Sequence, residues 1–143
     1  MPEARALLLD THVWVWLVEG AGHEFSPAAL AELRQKSLEG KLLVSHISVW
    51  EVAMLTARGR LELTVDLDTW VQQALQAPGV RSSTLSPDIL ISSTRLPGHP
   101  HGDPADRILM ATSRLTGAAL ATRDQTILAY AQRGHLAVLD VTP

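Results

Sequence analysis

The sequence predicts an α/β fold, a three-layer α/β/α sandwich with a parallel sheet of roughly five strands. Three observations predict it. Short apolar runs alternate with segments of helical periodicity along the whole chain. The first run, Ala6-Leu7-Leu8-Leu9, is continuous rather than alternating, as suits a strand covered on both faces. The runs are separated from one another by helical segments, which implies parallel pairing through right-handed crossovers. The 143 residues fit one domain spanning residues 1–143, with room for a core.

The elements follow in order. Asp10 ends the first run and caps a helix through Val18, with Val13, Trp14, Leu17 and Val18 as its apolar stripe and Gly20 and Gly22 as its stop. Ser26-Pro27 opens the next helix with a hydroxyl cap and a proline whose missing N–H costs nothing in the first turn. That helix runs to about Glu39 and stops at Gly40. Leu42-Leu43-Val44 is the second strand. Ser48-Val49-Trp50-Glu51 reads as a capping box opening a helix that is apolar nearly all round, hence largely buried, and ended by Arg58-Gly59-Arg60.

Asp66 or Asp68 starts a further helix, with Trp70, Val71 and Ala74 on one face and Pro78-Gly79 closing it. Val80 to Leu85 is a third, more polar strand, expected near an edge. Ser86-Pro87 repeats the cap and proline, and this helix ends before Pro97-Gly98. After the loop His99-Pro100-His101-Gly102, Asp103-Pro104 starts a helix that runs to Thr116 and stops at Gly117. Ala118 to Thr122 is the fourth strand, Asp124 opens a helix ending at Gly134, and Leu136 to Val141 is the last strand.

Composition narrows the function. A formal net charge of -3 argues against gripping nucleic acid by bulk charge. The absence of cysteine removes disulfides, thiolate nucleophiles and Cys-ligated zinc, and fits a cytoplasmic protein. The apolar run Val13 to Val18 is far below the roughly 20 residues of a membrane span. Asp10 and His12 interrupt any signal-peptide core. Phosphate-loop, dinucleotide and serine-hydrolase motifs are absent.

Four acids, Asp10, Glu51, Asp106 and Asp124, each fall at or within the first turn of a helix. Each taken singly has a plain reading as a cap or a dipole-favoured acid. Jointly they read differently. Asp10 and Asp124 follow strands directly and so lie at the carboxyl edge of the sheet, where ligands of open parallel sheets collect. Glu51 comes a few residues past the second strand, near the same edge. Asp106 starts a helix that precedes its strand, so its place needs tertiary information. Converging carboxylates repel, and a hard divalent cation, Mg²⁺ or else Mn²⁺, would hold them ionised.

Asp103 reads mainly as the cap of its helix, one turn from Asp106. Thr11 and Thr122 stand beside acids, either to hold a metal-bound water or to turn the chain. Arg107 and Arg123 are candidates for phosphate contact, or simply solvated. His99 and His101 lack the partners of a zinc site and read as a solvated loop. The tryptophans at 14, 16, 50 and 70 read as packing residues.

Four segments in order resemble PIN-domain proteins of the VapC toxin type: Leu8-Leu9-Asp10-Thr11-His12, Ser45-His46-Ile47-Ser48-Val49-Trp50-Glu51-Val52, His101-Gly102-Asp103-Pro104-Ala105-Asp106-Arg107-Ile108-Leu109-Met110-Ala111 and Leu120-Ala121-Thr122-Arg123-Asp124. The third segment is the most specific. The resemblance implies a Mg²⁺-dependent ribonuclease with Asp10, Glu51, Asp106 and Asp124 as its acidic site and Asp103 as a further acid. It also implies a homodimer and a small antitoxin partner that blocks the site. Hydrolysis of RNA by a metal-activated water is the expected chemistry, with Asp10, Asp106 and Asp124 holding the metal and Glu51 either a ligand or the group orienting the water. The rivals are a non-catalytic PIN-like binding and dimerisation module, and a metal-dependent phosphatase.

Overall fold

The computed structural model describes residues 5–143. Five strands form one sheet: β1 (Leu7–Leu9), β2 (Leu42–Ser45), β3 (Val80–Ser83), β4 (Ala119–Thr122) and β5 (Val138–Asp140). Their order is β3-β2-β1-β4-β5, and every pairing is parallel. The helices are α1 (Thr11–Val18), α2 (Pro27–Leu38), α3 (His46–Ala57), α4 (Leu67–Leu75), α5 (Pro87–Ser93), α6 (Pro104–Thr116) and α7 (Gln125–Gln132), with a short 3-10 turn at Gly22–Glu24. The predicted α/β sandwich is the observed fold.

β1 shows why its apolar run is uninterrupted. Leu7 and Leu9 enter one core with Trp14, Leu33, Val52 and Trp70. Leu8, pointing the other way, enters a second core with Leu109, Met110, Leu120 and Ile127. Both faces of the central strand are therefore dry, and each of the three leucines is buried. Removing a side chain such as Leu8 to alanine would cost about 2–5 kcal/mol. β3, more polar, lies at one edge as its composition predicts, and β5 at the other.

Caps set most of the helix starts. Ser26, Asp66, Ser86, Asp103 and Asp124 each accept the backbone N–H three residues on. Gly79 has a positive φ of 82°, and a Cβ there would fall 2.0 Å from the Ser37 carbonyl oxygen, so only glycine lets β3 start against the end of α2.

Two expectations are corrected at α3. Its cap is Ser45, whose Oγ accepts from Ile47 N at 3.1 Å, and not Ser48. The ladder between β2 and β3 runs through Ser45↔Ser83, so the chain turns into helix at once. Ser48 is then a buried first-turn residue, and Glu51 lies in the second turn. Nor is α3 buried all round, because Trp50 is 56% exposed. Trp14 and Trp70 pack edge to face in the first core, with centroids 4.9 Å apart, and Trp16 meets Phe25. Among the described residues no helix is long and apolar enough to cross a membrane.

Candidate active site

Parallel strands deliver successive loops to one edge, and the acids gather there. Asp10 follows β1 and caps α1, while Asp124 follows the neighbouring β4 and caps α7. Glu51 enters from α3, which leaves β2 on the other side of β1. Asp106 arrives on α6, whose Asp103 cap accepts the Asp106 N–H at 2.8 Å. A helix that feeds a parallel strand runs back against it, so its first turn reaches the carboxyl edge.

The acids act on one another's charge. Burial first, then the negative charges of Asp103, Asp10, Asp124 and Glu51, push the Asp106 carboxyl up to about 7. Burial also raises Asp10, which the Thr122 hydroxyl, the Thr11 N–H and the His12 imidazole partly offset. Glu51 is raised by burial and by the charges of Asp103 and Asp10, against the hydrogen bond from Thr11 and the charge of His12.

The hydroxyls beside the acids serve the protein. Thr122 Oγ1 donates to Asp10 Oδ2 at 2.7 Å and accepts from Asp124 N at 3.0 Å. It ties the two acid-bearing loops together. Thr11 Oγ1 donates to Glu51 Oε1 at 2.5 Å and lies 2.9 Å from Ser48 Oγ, all three side chains being buried. With the Thr11 hydrogen directed to Glu51, Ser48 is the donor to Thr11. Ser48 was legible only as a cap candidate. Its position three residues before Glu51 puts both on one helix face, which was the available signal. His12, inside the first motif, lowers two of the acids by its charge, and its ring lies 5.9 Å from that of Trp16.

The arginines are held by protein groups. Arg107 Nη1 donates to Gly102 O at 2.7 Å. Arg123 Nη1 lies 3.5 Å from Glu24 Oε1, and its guanidinium carbon sits 5.1 Å over the Trp16 ring. A phosphate contact by Arg123 would be shared with Glu24. Gly102, at φ 148°, passes its backbone over the acid: a Cβ there would lie 3.4 Å from Asp106 Cβ.

The donor set fits a hard divalent cation. It consists of carboxylate oxygens, without thiolates, and burial together with the neighbouring negative charges raises the Asp106 carboxyl to about 7. Among the described residues no group of three or more His, Asp or Glu side chains is closed up to hold a metal by itself. A separate apolar cavity of about 320 Å³, lined by Trp14, Trp16, Phe25, Leu33 and Ala74 among others, includes none of the acids.

Comparison with known proteins bears on the family and the fold. The PIN domain model matches residues 7–133. The chain is 31% identical over 126 residues to Ribonuclease VapC22 of Mycobacterium tuberculosis, covering 87% of this chain and 91% of that one. Among solved structures, VapBC2 from Rickettsia felis bound to a promoter DNA fragment superposes with a TM-score of 0.64 at 13% identity, over 95% of this chain and 98% of its own. A toxin-antitoxin complex from Klebsiella pneumoniae gives 0.53 at 20% identity, over 83% and 87%. With its parallel sheet, its gathered acids and a match across nearly its whole length, the chain belongs to the PIN-domain family, in its VapC-type branch.

Proposed function

We propose that the chain is a Mg²⁺-dependent endoribonuclease, the toxin of a toxin–antitoxin pair. One observation carries the reading: five carboxyl side chains from four elements act electrostatically on one another at the carboxyl edge of the sheet, with Asp106 at their centre. Such a cluster is unfavourable in isolation and becomes favourable around a cation. The name of the Mycobacterium tuberculosis relative supports ribonuclease activity.

Asp10, Asp106 and Asp124 would hold the cation, directly or through its waters, with Glu51 as a further ligand or as the proton acceptor. When bound, a divalent cation supplies a Lewis acid for the phosphoryl oxygens and a water of lowered pKa. The remaining work falls to the chain. Thr122 fixes the Asp10 carboxylate, and Thr11 with Ser48 fixes Glu51. Glu51, with its carboxyl raised, is suited to take the proton of a water attacking phosphorus in line with the departing 3′ oxygen. The products then carry a 5′-phosphate and a 3′-hydroxyl. The 2′-hydroxyl takes no part as nucleophile, so preference for RNA comes from contacts outside the acids.

The test is cleavage of RNA oligonucleotides with Mg²⁺ or Mn²⁺. Asp10→Asn and Asp106→Asn should each lower the rate by about 100-fold or more. Full activity in either variant would overturn the assignment. Calorimetric titration with Mn²⁺ should show binding in the wild type and its loss in Asp106→Asn. The toxin–antitoxin structure among the relatives supports a protein partner for this chain too. Co-expressed with its antitoxin, the toxin should copurify with it and cut RNA only after the partner is removed.

A further inference from the structure

The acids leave one motif of the sequence without a role, the loop His99-Pro100-His101-Gly102 before α6. Side chains from two helices hold this loop in shape. Tyr130 Oη donates to Pro97 O at 2.7 Å, Arg133 Nη2 to Gly98 O at 2.9 Å and Arg107 Nη1 to Gly102 O at 2.7 Å. Between these ties His99 has φ 47°, the one positive value at a non-glycine residue among the described residues. Histidine tolerates that region better than most side chains. Such backbone persists where its surroundings dictate it, and it clusters at ligand sites.

His99 forms one wall of a cavity of about 390 Å³, whose other walls include Ser93, Thr94, Leu96, Arg107 and Ile108. The volume lies within the range of small-molecule sites. Leu96 and Ile108 offer apolar flanks to the face of a flat ring. Ser93 and Thr94 direct their hydroxyl hydrogens to Leu90 O and Ile91 O, at 2.6 and 2.7 Å, and so present acceptor lone pairs. Arg107 retains Nε and Nη2 as donors after its bond to Gly102. A cavity of mixed polar and apolar walls, with an imidazole and a guanidinium among them, suits an unstacked nucleobase, which is stacked on planar side chains and hydrogen-bonded at its edges. Arg107 also follows Asp106 directly on α6, so the cavity and the acid occupy adjoining faces of one helical turn.

We propose that this cavity is a base-recognition subsite for the RNA nucleotide next to the scissile phosphate, with His99 and Arg107 reading the base edge. The proposal rests on the nuclease reading, and the test separates the two. RNA of randomised sequence is cut by the wild type and by His99→Asn, which keeps the left-handed backbone and removes the imidazole, and by Thr94→Val; the 5′ ends of the products are sequenced. In parallel, the His99 ring signal is followed by NMR while each of the four ribonucleoside 5′-monophosphates is added, with His23 as the control.

The wild type should prefer particular bases at one position beside the cut. His99→Asn should weaken that preference at least fivefold, and Thr94→Val should alter it at the same position. Where RNA is cut, the cleavage profile decides: an unchanged preference in His99→Asn, or no preference in the wild type, overturns the subsite and leaves the nuclease reading in place. Where RNA is not cut, the ring signal decides: a shift at His99 with some nucleotides and none at His23 supports the subsite while the nuclease reading falls. An unmoved His99 signal then overturns both.

Discussion

Thr122 couples the two acids that the topology places on neighbouring strands. Its buried hydroxyl donates to Asp10 and accepts from the Asp124 backbone. The sequence showed a threonine near an acid. Its partner depends on the register Leu9↔Ala121, which sets Thr122 beside Asp10 across 112 residues of chain. Thr122→Val keeps the volume and strands the Asp124 N–H, so it should lower stability in urea by about 1–3 kcal/mol. Asp106 makes the second case. Its carboxyl is raised from 3.8 to about 7, so the metal-free native protein keeps a proton that the unfolded chain has lost. The associated stability is whole below pH 3.8 and drains as pH rises towards 7. Asp106→Asn has no such drain. In metal-free buffer at pH 8 it should be more stable than the wild type by about 1 kcal/mol, after allowance for solvent screening, and so melt at a higher temperature. The two melting temperatures should draw together near pH 4, and Mn²⁺ should raise that of the wild type more.

Helix α6 was legible almost to its ends, because Asp103-Pro104 and Gly117 are local signals that tertiary structure had no reason to override. The position of its first turn at the acid edge was not, since it depends on the strand order that sets where α6 returns to the sheet. α3 was legible in type and misread in its start. Ser45 and Ser48 are both plausible caps, and only the pairing of β2 with β3 decides between them. The cost of that misreading fell on Glu51, which is held by Thr11 and not by a capping box. For α6 the cap and the charge of Asp103 can be separated. Asp103→Ala should lose about 1 kcal/mol in chemical denaturation, while Asp103→Asn, which still caps, should stay close to wild type. Both remove one negative charge from beside Asp106 and should lower its raised pKa alike. An equal stability loss in the two variants would show that the carboxylate, not the cap, stabilises the turn.

The strand order β3-β2-β1-β4-β5 could not be read from the chain, since apolar runs state that strands exist and not which ones pair. That order matters to the site, because it puts β1 in the centre with β2 and β4 flanking it. It also leaves α3 and α5 both packed against α6. On those two helices Trp50, Leu90 and Ile91 stay exposed. The exposed Trp50 supports the homodimer expected from the family resemblance, since a large solvent-facing tryptophan is stabilised when a partner covers it. The prediction is specific. At micromolar concentration the wild type should sediment at about twice its 15.5 kDa. Trp50→Glu should sediment as the monomer with an unchanged far-ultraviolet circular dichroism spectrum, because burying an unpaired carboxylate against a second copy is strongly unfavourable. A dimer that survives this substitution must be built on another face, and Trp50 would then be free to cover the antitoxin.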